Sequence, residues 1–330
     1  MFDFKIEEKR LFPCKDVEYR DGEIWCLFED RVKVFTPLME ERFEVFIEGG
    51  ERIKGVDGYM LVESQDKVYL LQGESIEREY SKASLPEFLD IDIVNEHIYL
   101  GRRDAPVLVF DMELNQVASL TLEGIEDYTV YKIVHDRMGA LYFKAYVNGQ
   151  WVVGYYYSDR LGDSDTINGE VVDMKILDII PVDADDLLKG EISCAVSLYK
   201  LILPESDGIP IYTLYVWDQF WNPVFVAEYD EVNHLFYIDE DIIGSISGNN
   251  FKIIQFRFIQ LFDGFKLEES FKRFVVHKEN VWSYSLFGVD EKGYLWEIRL
   301  FREYQGIGWG RKGGRVILRV LAPSGVPLVG

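Results

Sequence analysis

The chain has 330 residues, of which 48% are hydrophobic and 15% aromatic, a composition that supports a large core and excludes a disordered chain. Lysine and arginine number 35 against 58 aspartates and glutamates, a formal net charge of −23 that disfavours nucleic acid and anionic membranes as partners. The three cysteines are scattered, which argues against disulfides and a zinc site. The sequence has no apolar leader, which argues against secretion, and no apolar run of about 18 residues, which argues against a membrane span. We therefore expect a cytoplasmic protein.

Runs of alternating apolar and polar residues, typical of β-strands, follow one another along the chain. The first, FDFKIEE (2–8), precedes a series of turns that each lead directly into a strand. The residues that open these strands recur at intervals of roughly 35 to 50 residues, the range of repeat architectures. They are Ile24, Met60, Ile98, Leu141, Ile192, Ile243 and Leu295.

Each interval contains about four strand-like runs. In the second interval these are 52–56, 59–64, 67–73 and 75–81, and the short turns between them indicate antiparallel neighbours. The Asn-Gly pair in VNGQ (147–150) predicts a two-residue hairpin turn. The last interval has runs at 281–289, 294–301 and 315–321, which leaves one strand for the N-terminal run to supply.

Sheets of four strands that are apolar on both faces are buried when they are arranged radially in a closed ring. The segments VDEKGYLWEI, VHDRMGALYF and IYLGRRDAPVLVFDMELNQV resemble repeats of the β-propeller superfamily, in its NHL-like and six- or seven-bladed variants. No Trp-Asp dipeptide closes each repeat as in WD40 proteins. We expect one all-β domain over 1–330 with seven four-stranded blades, the N-terminal strand closing the last. Six or eight blades, or a pair of β-sandwiches, are the alternatives.

The sequence has no motif for a catalytic residue, because H-x-x-H, G-x-S-x-G and phosphate-binding loops in their required context are missing. We therefore favour a non-catalytic scaffold without a cofactor. Some propeller hydrolases, such as the lactonase-like enzymes, hold Ca²⁺ at the axis with carboxylates, so a hydrolase or lyase is the alternative. Acids that could form such a metal site are Asp90, Asp92, Asp178, Asp239 and Asp241.

Basic residues beside a tryptophan predict a binding face on this acidic chain. In an up-and-down blade, the loops between second and third strands share a face with the loops that link blades. We expect the segment 302–315 to be such a loop, and His277 and Lys278 to lie on its face. The predicted binding residues, for another protein or an anionic ligand, are Arg102, Arg103, Arg302, Trp309, Arg311 and Lys312. Carbohydrate binding through Trp217, Phe220 and Trp221 is a further alternative.

Overall fold

The computed structural model describes most of the chain. The backbone is described for residues 2–120, 128–135, 141–157, 160–166, 173–181, 192–201, 210–218, 223–229, 234–239, 242–255, 260–261 and 264–304. Side chains are described for 4–120, 128–135, 141–149, 152, 234–239, 242–255 and 264–303. The segment 305–330, with the predicted strand 315–321, lies outside these ranges.

The described residues form seven antiparallel sheets. In spatial order, sheet 1 contains β2 (Asp16–Arg20), β3 (Glu23–Leu27), β4 (Arg31–Phe35) and β5 (Glu41–Phe46). Sheet 2 contains β6 (Gly50–Val56), β7 (Tyr59–Ser64), β8 (Lys67–Gln72) and β9 (Ser75–Ser81). Sheet 3 contains β10 (Asp90–Val94), β11 (His97–Gly101), β12 (Val107–Asp111) and β13 (Gln116–Leu120). A 3-10 turn, Lys82–Ser84, follows β9.

Sheets 4 to 7 continue the series. Sheet 4 contains β14 (Tyr128–His135), β15 (Leu141–Val147), β16 (Gln150–Tyr157) and β17 (Arg160–Thr166), and sheet 5 contains β18 (Asp173–Pro181), β19 (Ile192–Leu201), β20 (Pro210–Asp218) and β21 (Pro223–Tyr229). Sheet 6 contains β22 (His234–Asp239), β23 (Ile242–Ser247), β24 (Asn250–Gln255), β25 (Gln260–Leu261) and β26 (Phe265–Lys266). Sheet 7 contains β27 (Val275–Asn280), β28 (Ser283–Val289), β29 (Tyr294–Tyr304) and β1 (Phe2–Pro13). In sheet 6, β25 and β26 both pair with β24 and share the place of a fourth strand.

The sheets are arranged as a closed ring around an axis. The first strand of each sheet contacts the first strand of the next sheet, and β27 of sheet 7 contacts β2 of sheet 1. Apolar clusters lie between neighbouring sheets: one joins Leu61 of sheet 2 to Ile98 of sheet 3, and another joins Val109 of sheet 3 to Phe143 of sheet 4. The first strands therefore surround a central channel, and the fourth strands form the outer edge.

Burial follows this radial order and explains the sequence patterns. In sheet 3, every residue of β10 is buried and β11 and β12 are nearly so, whereas β13 is mostly exposed. Strands covered on both faces have continuous apolar runs rather than strict alternation. The predicted VNGQ hairpin is confirmed, because Asn148 and Gly149 both adopt positive φ angles, 48° and 84°, in the turn between β15 and β16.

Sheet 7 closes the ring with strands from both ends of the described chain. β1 pairs with β29 from Phe2 opposite Tyr304 to Pro13 opposite Tyr294. The chain then crosses to sheet 1, where Cys14 N donates to Gly293 O at 2.8 Å and Lys15 N donates to Leu27 O at 2.7 Å. The predicted closure by the N-terminal strand is confirmed.

The predicted strand order of the last repeat is wrong by one strand. Six of the seven marker residues lie in second strands, but Leu295 lies in β29, the third strand of sheet 7. The first strand is β27, whose sequence VVHKEN becomes polar and exposed toward its end. Because of these polar residues, β27 lacks the alternation of apolar and polar residues by which strands are predicted. His277 and Lys278 therefore lie in β27, the strand beside the channel, and not in a loop.

We expect Phe4→Ala to lower the free energy of unfolding by about 3 kcal/mol, because it removes a buried aromatic ring from β1, the strand that pairs with β29 to complete sheet 7. Phe4 is 4% exposed and packs in the cluster between sheets 6 and 7. Urea denaturation measures the loss. The control is Phe46→Ala, at a ring that is 64% exposed on the outer edge of sheet 1, with an expected change below about 1 kcal/mol. Equal losses would show that β1 does not hold the ring closed.

Candidate functional site

The central channel has a volume of about 1180 Å³. Most of its lining comes from the first strands of sheets 1, 2, 3, 4, 6 and 7, and the turn Asp290–Gly293 between β28 and β29 contributes as well. Because this turn joins a second strand to a third strand, the channel opens on the face of the second-to-third loops. We call this the upper face.

A cation from one sheet holds the next two sheets together at the junction of sheets 7, 1 and 2. Arg273 Nη2 donates to Asp16 Oδ1 at 2.9 Å, Val17 O at 2.7 Å and Ile53 O at 3.0 Å. The other carboxylate oxygen of Asp16 accepts from Ile53 N at 3.0 Å. The Arg273 side chain thus binds a carboxylate and a carbonyl of sheet 1 and a carbonyl of sheet 2.

The same arrangement recurs at the junction of sheets 2, 3 and 4. Lys54 Nζ donates to Ile91 O at 2.9 Å and Ile133 O at 3.2 Å, and lies 3.7 Å from Asp90 Oδ2. Asp90 Oδ2 accepts from Ile133 N at 2.8 Å. In each unit, a lysine or arginine side chain comes from one sheet. The next sheet contributes an aspartate and the backbone carbonyl of the residue after it. The third sheet contributes the backbone N–H and C=O of one isoleucine. We call each unit a three-sheet clasp.

The charges of the clasps shift the pKa of both partners. Burial lowers the pKa of Arg273, but the carboxylates of Asp16 and Glu18 outweigh it and the net shift is upward. Burial would raise the pKa of Asp90, but Lys54, Arg52 and the Ile133 amide hold it below its usual value. Both shifts mean that the charged forms are stabilised in the folded ring.

Two histidines beside the channel are shifted in opposite directions. The Nδ1 of His135 lies 3.0 Å from Asp92 Oδ2, and although burial lowers the pKa of His135, this carboxylate raises it overall. The Nδ1 of His277 lies 2.6 Å from the hydroxyl of Tyr19, and burial lowers the pKa of His277. One imidazole is therefore stabilised as a cation and the other as a neutral ring.

The acids predicted for a metal site are bound to protein cations where the structure describes them. Asp90 lies 3.0 Å from Arg52 Nη1, and Asp92 lies 3.6 Å from Lys54 Nζ. Asp239 accepts from Lys278 Nζ at 2.6 Å and from the Tyr284 hydroxyl at 2.7 Å. Among the described residues, no group of three His, Cys, Asp or Glu side chains is placed to hold a metal ion. The Asp178 side chain and Asp241 lie outside the described part.

The three predicted binding residues that the structure describes lie on two different faces. Arg102 and Arg103 lie in the loop between β11 and β12, on the upper face as predicted. Arg302 is a β29 residue, and its amide donates to Trp282 O at 2.8 Å in the turn between β27 and β28, at the opposite face. The single-patch prediction is wrong for Arg302, because 294–304 is a third strand that pairs with β1. Trp309, Arg311 and Lys312 lie outside the described residues.

The upper-face loop is held against sheet 4. Val130 N donates to Arg102 O at 2.8 Å, Ala105 N donates to Tyr128 O at 3.1 Å, and Asp104 N donates to Thr129 Oγ1 at 3.1 Å. The Arg103 side chain is exposed beside this contact. The loop therefore has a fixed position next to the first strand of sheet 4.

Sequence reasoning missed Arg273, Lys54 and His135 as channel residues. A signal was present for Lys54, because RIKGV places Arg52 and Lys54 two residues apart on one face of a strand. A cation at alternate positions of an inner strand indicates a charged channel. Arg273 precedes β27, and the sequence pattern does not reveal that strand.

The ring is similar to solved propeller structures. The β-propeller domain of Cps50 (Swd1) from Myceliophteria thermophila superimposes with a TM-score of 0.58 at 12% identity, covering 90% of this chain and 99% of that one. The Pan2 WD40 domain from Neurospora crassa gives 0.57 at 10% identity, covering 90% of each chain. The protein is a β-propeller. Its sheets are the blades, and blades 1 to 7 below are sheets 1 to 7.

Another similar structure is BBS1N in complex with ARL6DN, with a TM-score of 0.55 at 10% identity, covering 88% of this chain and 92% of that one. No protein-family model and no curated protein matches the sequence. In the described part of this propeller, no helix is long and apolar enough to cross a membrane.

We expect Arg273→Gln to lower the free energy of unfolding by about 1–2 kcal/mol, because it leaves Asp16 and Glu18 without their cation. The Arg273 side chain is 37% exposed, so solvent reduces the loss below the roughly 3–5 kcal/mol of a fully buried pair. Urea denaturation of Arg273→Gln, Asp16→Asn and the double variant measures the coupling. Lys5→Gln, at the exposed Lys5–Glu303 pair, is the control and should have little effect. Strictly additive losses would contradict the clasp.

We expect the two channel histidines to give opposite pH dependences of stability. The pKa of His135 is raised in the folded protein, so His135 contributes stability below about pH 6.5, and this stability is lost as the pH rises through the folded pKa. The pKa of His277 is lowered in the folded protein, so His277 contributes stability above about pH 6.5, and this stability is lost as the pH falls through the folded pKa. Unfolding free energies at about pH 5.5 and about pH 8 test this. Acidification should favour the His277→Gln variant more than the wild type, and the His135→Gln variant less. Changes of the same sign would refute the assignment.

Proposed function

We propose that this propeller is a non-catalytic scaffold that holds a partner protein on its upper face. The observation that supports the proposal is the state of the channel carboxylates. Asp16, Asp90 and Asp92 line the channel, and Asp239 ends the first strand of blade 6. Each of these acids lies beside a lysine, arginine or histidine of a neighbouring blade. These acids connect the blades, so their role is explained by ring stability without any reaction.

Further support comes from the upper face and from the comparisons. Arg102 and Arg103 are fixed there by backbone hydrogen bonds to blade 4, so they present charge without the entropic cost of ordering a loop. The structure of BBS1N, which has the same fold, is that of a complex with ARL6DN. This is an analogy of fold, and the fold alone does not assign a function.

The experiment identifies a partner and then tests the face. Proteins that co-purify with the tagged chain from its source cells are identified by mass spectrometry, and a reconstituted pair is measured by calorimetry. We expect Arg102→Ala/Arg103→Ala to weaken binding by roughly tenfold or more, because arginines are enriched among the residues that dominate interface energy. The control is Lys5→Ala/Lys9→Ala, which removes the same charge from β1 at the outer edge of blade 7.

A melting experiment distinguishes the metal-dependent alternative. A ligand that binds the native state raises the melting temperature, and removing it lowers the melting temperature. We expect equal melting temperatures with Ca²⁺ and with EDTA, because protein cations already bind the channel carboxylates. A higher melting temperature in Ca²⁺ than in EDTA would favour the hydrolase or lyase. In the binding experiment, an unchanged affinity of the Arg102→Ala/Arg103→Ala variant for the partner would show that the upper face is not the binding face.

A further inference from the structure

The last part of the chain, 305–330, differs in charge from the rest of the molecule. It holds four of the 35 lysines and arginines and none of the 58 aspartates and glutamates, which leaves a formal charge of −27 on residues 1–304. Apolar residues such as Val316, Ile317 and Leu318 lie between its cations. The chain thus joins a basic, partly apolar segment to a strongly acidic propeller. The four cations are Arg311, Lys312, Arg315 and Arg319.

This segment follows β29, which ends at the face opposite the upper face. We call it the lower face, and it carries the turns that join first strands to second strands and third strands to fourth strands. Tyr304 pairs with Phe2 at the end of β29, and Arg302 N donates to Trp282 O in the turn between β27 and β28. The segment 305–330 therefore starts from the lower face of blade 7.

The lower-face turns of four blades are connected to one another. Arg20, at the end of β2, donates from Nη1 to two carbonyls at the turn of blade 2. Asp57 Oδ2 in that turn accepts from Asn95 N of blade 3 at 3.0 Å. The Tyr19 hydroxyl lies 2.6 Å from His277 Nδ1 and joins blade 1 to blade 7. We call the lower-face turns of these blades the lower arc; their residues are 281–282, 21–22, 36–40, 57–58 and 95–96.

The lower arc combines exposed carboxylates with exposed apolar side chains. Asp21, Asp57 and Glu96 are exposed in its turns. Asp21 pairs with an arginine at 3.1 Å, whereas in the described part of the chain no lysine or arginine forms an ion pair with Asp57 or Glu96. Leu38 and Val281 are 78% and 54% exposed. These side chains suit a ligand that is both basic and apolar.

We propose that the lower arc binds the segment 305–330 of the same chain. The cations of the segment pair with Asp57 and Glu96, and its apolar residues contact Leu38 and Val281. Residues of the segment that were predicted from the sequence to bind a partner thus bind the propeller itself. This inference does not depend on the proposed scaffold function, because it concerns the opposite face.

Reach and covalent linkage favour this segment over a separate basic partner. The 15 residues from Tyr304 to Arg319 span at most about 50 Å. Sheets packed face to face lie roughly 10 Å apart, so the turn of blade 3 is within reach from blade 7. Exposed ion pairs are individually weak, and a tether compensates because it holds the segment at a high effective concentration. A separate partner would bind through the same weak contacts without that tether.

Carbodiimide cross-linking of the full chain tests the contact. The reagent joins a lysine amine to a carboxylate as an amide and takes up the lost water as a urea, and Lys312 has the only lysine amine in the segment. We expect mass spectrometry to find Lys312 linked to Asp21, Asp57 or Glu96. Asp66, exposed in the upper-face turn of blade 2, is the control in the same blade as Asp57 and should give no cross-link.

Tryptic cleavage within the segment measures how strongly it is held. Trypsin cuts after lysine and arginine, so cleavage is slow while the segment is bound. We expect Asp57→Asn/Glu96→Gln to speed this cleavage by roughly threefold or more, because two ion pairs are lost. The control, Asp66→Asn/Glu291→Gln, removes the same charge from upper-face turns and should cleave as the wild type does. Thermal melts verify that each variant is folded.

Three outcomes would overturn the inference. The first is a Lys312 cross-link to Asp66 as frequent as that to Asp57, or no cross-link to the lower arc. The second is equal cleavage of Asp57→Asn/Glu96→Gln and the wild type. The third is cross-links between labelled and unlabelled peptides in a mixture of isotope-labelled and unlabelled chains, which would assign the lower arc to a second copy. The upper-face experiment with Arg102 and Arg103 is unaffected by any of these results.

Discussion

The hydrogen-bonded ion pair that reaches across three blades is the constraint on which the ring depends. Amides and carbonyls of an inner strand that are not paired within its own blade need other partners. Arg273 and Lys54 supply donors to carbonyls of two successive blades, and Asp16 and Asp90 accept the isoleucine amides. Each clasp therefore fixes the relative height of three blades along the axis.

Burying such charges has a cost, and the geometry shows how it is offset. A buried ion pair stabilises a fold only when further hydrogen bonds satisfy its remaining groups. Asp16 meets this condition through two carboxylate oxygens that bind different blades. Fixed angles between blades are the benefit, and they keep the loops of the upper face at constant positions. A rigid face is what a scaffold requires, since little order is lost on binding.

Periodic features were predictable from the sequence, whereas features that depend on the axis were not. Turns such as Asn148–Gly149 have local signatures, and the buried runs of β10 to β12 follow from their composition. The strand β27 escaped because its sequence becomes polar and exposed toward its end, and this displaced Arg302 from the predicted patch. Arg273 and Asp16 are 257 positions apart, so only ring closure brings them together.

Closure through β1 also determines when this protein can fold during synthesis. The strand that completes blade 7 emerges from the ribosome before the other described strands, and its partner β29 ends at Tyr304. At roughly 5–20 residues per second, β1 stays without its partner for ~15–60 s while six blades are assembled. A strand of alternating apolar and polar residues with free backbone groups is open to wrong pairing during that time. The nascent chain thus passes through a long stage as an open arc, on which a chaperone or another strand can act before the circle is complete.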